Sequence, residues 1–164
     1  MSIVFNADEI FEMAVDIEKN GVQFYKKAAK ATTDSDAKKM FTDFSAMEVE
    51  HAKTFAQMRK ELAQQDKEPL TYDPDDETAL YLQSMAEAHG WEGKAGAGVE
   101  FAGNETPEEI IDRAIKAEEH SVAFYVGVKD IVFGKSGREK VETIIREEMQ
   151  HIRALNSRLA DLRS

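Results

Sequence analysis

The residues of this chain best suited to chemistry are two Glu-x-x-His motifs, Glu48 with His51 and Glu148 with His151. Glutamate and histidine three residues apart project from one face of a helix, so both can reach the same metal site. One such motif arises easily by chance in a chain with 32 acidic residues and four histidines. Two copies at matching positions of a repeat are a far stronger signal. Mixed carboxylate and imidazole ligation suits iron or manganese, with zinc as a further candidate.

An internal repeat with an offset of 100 residues relates the two motifs and extends beyond them. It pairs Glu18 with Glu118 and Tyr25 with Tyr125, and it needs no gap between these positions. A repeat this regular predicts two similar halves packed about an approximate two-fold axis.

The candidate ligands interrupt apolar stripes on four predicted helices. In the second helix the stripe steps by three and four residues, which is the spacing of a core-facing seam in a bundle: Phe41, Phe44, Glu48, His51, Phe55, Met58 and Leu62. A buried, unpaired carboxylate costs roughly several kcal/mol, and no lysine or arginine occupies the adjoining seam positions. Four carboxylates with two neutral imidazoles instead balance two divalent cations. The predicted metal ligands are Glu18, Glu48, His51, Glu118, Glu148 and His151.

Four long helices are predicted in two antiparallel pairs, with boundaries near residues 7–31, 36–65, 106–133 and 136–162. The connection 66–105 between the pairs contains a short helix, which we expect Asp73 to cap, Pro74 to open and Gly90 to follow. Because this long link must span the bundle, the predicted fold is an all-α four-helix bundle with one crossover between helices two and three. The whole chain, 1–164, is expected to form a single domain.

Capping signals fix the start of the second helix pair. Thr106 is a predicted N-cap followed by Pro107 and, three residues on, Glu109. Gly134 is predicted to end the third helix as a left-handed cap, and Ser136 to open the fourth with a second capping box.

Composition excludes several function classes. The net charge of −11 and the lack of a basic stripe argue against a nucleic-acid partner. The absence of cysteine excludes disulfides, iron–sulfur clusters and thiol chemistry. No basic-then-apolar leader and no apolar run of membrane-spanning length is present, so we expect no membrane association and a cytoplasmic location.

The ligand pattern and the one-crossover topology resemble the ferritin-like di-iron carboxylate proteins, and the glutamates followed by an aromatic-Tyr pair are similar to the rubrerythrin branch. The resemblance implies two iron ions, with Glu18 and Glu118 as terminal ligands, Glu48 and Glu148 as bridges, and one histidine for each metal. It also implies an oxidoreductase that reduces hydrogen peroxide or oxidises ferrous iron through a di-ferrous to di-ferric cycle. A homodimer is expected by the same resemblance.

Two departures from that branch stand out. No cysteines are present to hold a rubredoxin domain, so electrons would come from a separate donor protein or another reductant. The additional glutamate that rubrerythrins carry one turn after the helix-three ligand is Ser121 here, which places their redox-linked ligand exchange in question.

Alternatives remain open at this point. Ferritin-type iron storage is disfavoured by the long crossover and by the lack of a short helix after helix four, while a dimanganese catalase, a hydroxylase and a metal-stabilised interaction module use related ligand sets. Tyr25 and Tyr125 are predicted either to act beside the metals, by hydrogen-bonding the ligands or by carrying a radical or an electron, or to be core tyrosines whose hydroxyls are satisfied by a buried carboxylate. Three further glutamates neighbour ligands in sequence but are predicted to be solvated: Glu50, Glu119 and Glu147.

Overall fold

The computed structural model describes residues 7–64, 77–88, 100–132 and 134–164. These residues form five helices and no strands, which confirms the all-α prediction. The helices are α1 (Ala7–Ala31), α2 (Ser35–Gln64), α3 (Glu77–Ala88), α4 (Pro107–Ile131) and α5 (Lys135–Arg163). None of these helices combines the length and the apolar character that crossing a bilayer requires.

The four long helices pack as two antiparallel hairpins, α1 with α2 and α4 with α5. Phe11, near the start of α1, meets Phe55 near the end of α2, and Arg163 at the end of α5 reaches Asp112 at the start of α4. The hairpins then pack together, α1 against α4 and α2 against α5. Each long helix therefore presents one seam to a common axis.

Apolar side chains fill the bundle on both sides of its middle. One cluster includes Phe11, Phe55, Val128, Val141 and Ile144. The other includes Phe24, Phe41, Phe44, Ile111 and Leu155. Polar seam residues lie between these clusters, so water is excluded from above and below them.

The start of α4 follows its predicted capping signals. Thr106 is the N-cap, its hydroxyl accepts from the Glu109 backbone N–H, and the Glu109 side chain accepts from the Thr106 backbone N–H. Pro107 occupies the first helical position, where its missing N–H would have no partner. This capping box is confirmed.

The turn between α4 and α5 differs from the sequence prediction. Helix α4 ends at Ile131 rather than near residue 133, and Gly134, with φ +78° and ψ +151°, precedes α5 instead of capping α4. Ser136 lies inside the first turn of α5 and makes no capping box, since α5 has no side-chain cap. Both predictions were wrong because Val132, in an extended conformation, ends α4 before Gly134 is reached. The ψ of Gly134 is extended rather than left-handed helical, and its carbonyl accepts from the Arg138 N–H at the start of α5.

The short helix α3 packs on α4 and contributes Leu82 to one of the apolar clusters. Leu82 is fully buried, and α3 approaches so closely that a Cβ on Gly127 would lie 2.9 Å from Leu82 Cδ2. The short crossover helix is therefore present, while its predicted capping residues, Asp73, Pro74 and Gly90, lie outside the described residues.

A carboxylate before α2 yields a stability prediction. Asp34 Oδ1 accepts from the Ala37 backbone N–H at 2.7 Å, and the same side chain pairs with Arg158 of α5. Because asparagine retains the cap and alanine does not, we expect Asp34→Ala to unfold with a free energy about 1 kcal/mol lower than Asp34→Asn in denaturant titrations. Equal stability of the two variants would contradict a capping role.

The structure also predicts how the contribution of Asp34 to folding stability changes with pH. The Arg158 guanidinium lowers the pKa of Asp34 below its ordinary 3.8. The stabilisation is therefore present above that ordinary value and is lost as pH falls through the lowered pKa.

Candidate metal centre

Six seam residues meet at the middle of the bundle, one carboxylate from each long helix and one imidazole each from α2 and α5. None is more than 4% exposed. They are the six that the sequence nominated: Glu18, Glu48, His51, Glu118, Glu148 and His151. Burial of four carboxylates and two imidazoles in one place requires that their charges be balanced locally.

The six side chains form two overlapping groups of four. Glu18, Glu48, His51 and Glu148 place one potential ligand atom each within 4.8 Å of one another, and Glu48, Glu118, Glu148 and His151 do the same. Glu48 and Glu148 belong to both groups, which is the position of bridging ligands. Glu18 and Glu118 belong to one group each, which is the position of terminal ligands.

Each imidazole directs its Nδ1 atom towards the carboxylates. His51 Nδ1 lies 3.1 Å from Glu148 Oε1 and 3.4 Å from Glu18 Oε2. His151 Nδ1 lies 2.9 Å from Glu148 Oε2 and 3.2 Å from Glu118 Oε1. Nδ1 is therefore the ring atom available for a metal in both halves.

Two buried tyrosines connect the halves of the repeat. The Tyr25 hydroxyl donates to Glu118 Oε1, and the Tyr125 hydroxyl donates to Glu18 Oε1. Each phenol thus orients the terminal glutamate of the opposite half. Burial raises the pKa of both phenols well above 10, so both remain neutral donors.

Protons occupy the centre when no metal is bound. Burial raises the pKa of Glu18 well above 4.5, with the nearby Glu48 adding to the effect, and it raises the pKa of Glu118 to about 8. Burial disfavours the charged His151 ring, but hydrogen bonds to Glu118 and Glu148 outweigh it and raise the His151 pKa to about 11. Burial also acts against the Glu48 anion, yet hydrogen bonds with Glu18 and both imidazoles lower the Glu48 pKa to about 2. The metal-free protein therefore keeps protons where cations would otherwise balance the anions.

The carboxylate oxygens and imidazole nitrogens of the centre are suited to binding a pair of cations. Among the described residues, three buried carboxylate oxygens lie 2.9–3.4 Å from an imidazole Nδ1 atom but accept no well-aligned hydrogen bond: Glu18 Oε2, Glu48 Oε1 and Glu148 Oε2. Buried acceptors are normally satisfied. All three belong to the ligand set, and a divalent ion bound between the side chains would satisfy them.

A glycine makes room for the Glu48 carboxylate. A Cβ on Gly21 would lie 3.3 Å from both Cγ and Oε2 of Glu48. At the corresponding position of the other half, Ser121 turns its hydroxyl onto the Ala117 carbonyl. Glu48 thus approaches the backbone of α1 where no side chain obstructs it.

One glutamate was misread from the sequence. Glu147 was predicted to be solvated, but its Oε2 lies 2.7 Å from His51 Nε2, and its side chain is 37% exposed. Glu147 lies off the core-facing stripe of α5, and periodicity within one helix does not show that His51 approaches it from α2. Glu50 and Glu119 are exposed, and Glu50 pairs with Lys53.

The space at Gly21 can be tested with Gly21→Ala. The added methyl group displaces the Glu48 carboxylate by a few tenths of an ångström, so we expect metal affinity to fall by roughly tenfold. The metal-free form should lose no stability, since alanine favours a helix interior over glycine by about 0.5–1 kcal/mol. Titration with Mn²⁺ and thermal unfolding check the two effects. Ser121→Ala is the control, and equal losses of affinity in both variants would contradict the steric explanation.

The retained protons predict how pH affects the metal-free protein. Glu118, with its pKa raised from 4.5 to about 8, and His151, raised from 6.5 to about 11, both bind more protons in the folded state than in the unfolded chain. Stability of the metal-free form should therefore fall as pH rises from about 5 to 9. Metal binding releases these protons, so the rise in melting temperature on adding Mn²⁺ should grow over the same range. Calorimetry with and without chelator measures both trends. A rise in melting temperature that does not change with pH would contradict the retention of protons by the metal-free centre.

Comparison with known proteins identifies the family and the fold of the chain. The rubrerythrin family model matches residues 9–96. The fold is similar to the crystal structure described as that of a ferritin-like diiron-carboxylate protein from Thermotoga maritima, with a TM-score of 0.66, 19% sequence identity and 96% of each chain covered. No curated protein matches the sequence. With its ferritin-like fold and a family match across more than half of its length, the chain belongs to the rubrerythrin family.

Proposed function

We propose that the protein is a non-haem di-iron oxidoreductase that reduces hydrogen peroxide or oxidises ferrous iron at the centre formed by the six buried ligands. The observation that carries the proposal is the pair of overlapping four-residue groups that share Glu48 and Glu148. A site with two shared carboxylates suits two metal ions held close together. Membership of the rubrerythrin family favours iron as the metal.

Ligand roles follow from the two groups. Glu18 and His51 would hold one ion, Glu118 and His151 would hold the other, and Glu48 and Glu148 would bridge them. When bound, the two ferrous ions would together supply the two electrons that reduction of one peroxide requires.

The protein's own residues supply orientation and exclude bulk water. Tyr25 and Tyr125 hold the terminal carboxylates by hydrogen bonds, and the apolar clusters on either side keep the centre dry. Peroxide reduction also consumes two protons, and the phenol hydroxyls are neutral O–H groups already hydrogen-bonded to the ligands. We propose that they hold the carboxylates in place and keep a proton close to the centre.

Electron supply and assembly are part of the proposal. We propose that an electron-donor protein returns the centre to its reduced state, since the described ligands and the cysteine-free sequence offer no second redox group. By family likeness we propose a homodimer. Sedimentation separates a dimer from the hollow multi-subunit shell that iron storage would need.

The proposed function is tested on protein loaded anaerobically with two ferrous ions per chain. Stopped-flow absorbance then compares oxidation by one equivalent of peroxide with oxidation by air, against free ferrous iron. We expect the centre to be oxidised faster than free iron by at least one of the two oxidants. If neither oxidant oxidises the centre faster than it oxidises free iron, the proposed oxidoreductase activity is contradicted.

Matched variants and a gas measurement sharpen this test. Glu118→Ala removes a proposed ligand and should abolish rapid oxidation, whereas Glu119→Ala removes the exposed neighbouring carboxylate and should leave it unchanged. An oxygen electrode separates the alternative, because a dimanganese catalase releases oxygen from peroxide and a peroxidase does not.

A further inference from the structure

The two halves of the centre have the same ligands but different surroundings. The offset of 100 residues maps each ligand of one half onto an identical residue of the other. The residue immediately before each bridging glutamate breaks this rule, since Met47 corresponds to Glu147. The residues one turn earlier also differ, Phe44 corresponding to Ile144.

The outer nitrogen of His51 has a charged partner. His51 Nε2 lies 2.7 Å from Glu147 Oε2, while Nδ1 of the same ring faces the carboxylates of the centre. A carboxylate acceptor on one ring nitrogen fixes the tautomer and raises the basicity of the nitrogen that binds metal. The side chain of Glu147 is 37% exposed, so the carboxylate keeps access to water.

The outer nitrogen of His151 has a poor partner. His151 Nε2 lies 3.4 Å from Met47 Sδ, and a thioether is only a weak acceptor. The ring also stacks on Phe44, with centroids 4.0 Å apart. The outer side of the His151 ring therefore faces a thioether and an aromatic ring, and no described carboxylate accepts from its Nε2.

We propose that the two metal positions are chemically non-equivalent, and that Glu147 makes the position built on Glu18 and His51 the tighter one, which fills first. Glu147 acts through His51 and is a positioning residue. The position built on Glu118 and His151 then fills second and releases its ion more readily. This inference rests on the dinuclear site of the proposed function.

The test uses the full chain, freed of metal and titrated with Co²⁺ by calorimetry. Wild-type protein should bind two ions in unequal steps, separated by about tenfold or more in affinity. Proton NMR of the Co²⁺ form should show a shifted, exchangeable ring N–H signal that appears with the first equivalent and exchanges slowly because Glu147 accepts from it.

Three variants assign the effect to the residue behind each imidazole. Glu147→Met gives His51 Nε2 the kind of neighbour that Met47 provides for His151, and should make the two binding affinities nearly equal. Met47→Glu copies the first half into the second and should tighten the weaker step. Glu50→Gln removes an exposed carboxylate next to His51 in sequence, changes the net charge as Glu147→Met does, and should leave both steps as in wild type.

The outcomes separate this inference from the proposed function. Two equal steps in wild-type protein, or equal weakening of both steps by Glu147→Met, would overturn the non-equivalence and leave the dinuclear site standing. Failure to bind two ions at all would overturn both.

Discussion

Four buried carboxylates at the centre of an apolar bundle must be neutralised, and the rest of the molecule is arranged around that requirement. Their negative charge lies between two clusters of aromatic and aliphatic side chains, where solvent cannot screen it. Within the described residues, no lysine or arginine side chain forms an ion pair with any of the four. Two imidazoles and retained protons compensate in the metal-free state, and two divalent ions would do so more completely. Folding and metal uptake are therefore linked through the same side chains.

Backbone shape at the centre reflects the same requirement. Gly21 lets the Glu48 carboxylate lie against α1. Away from the centre, Gly127 lets Leu82 and Tyr81 of α3 pack directly against the backbone of α4. A larger residue at either position would force a neighbouring group to move, so these glycines are explained by contacts rather than by local flexibility.

Much of this arrangement could be read from the sequence because it is periodic. Seam spacing placed all six candidate ligands on core faces, and the repeat indicated that the faces meet. The Thr106 capping box was likewise local and predictable. The Gly134 and Ser136 predictions failed because α4 already ends at Val132 and Gly134 adopts an extended ψ at the start of α5, and a glycine in the sequence does not specify which of two adjoining helices it flanks. Glu147 was missed because its partner belongs to α2. The repeat did offer one signal there, the mismatch between Met47 and Glu147.

The crossed phenol contacts have a consequence for how such a centre could change over generations. Tyr25 serves Glu118, and Tyr125 serves Glu18, so each hairpin carries the support for the other hairpin's metal-facing acid. Neither hairpin alone contains a complete set. Loss of a tyrosine in one half removes a hydrogen bond from the glutamate of the opposite half. After a duplication of one hairpin, substitutions at these positions in the two copies would therefore not be independent. They stay alike where they depend on each other, and they are free to diverge where they do not.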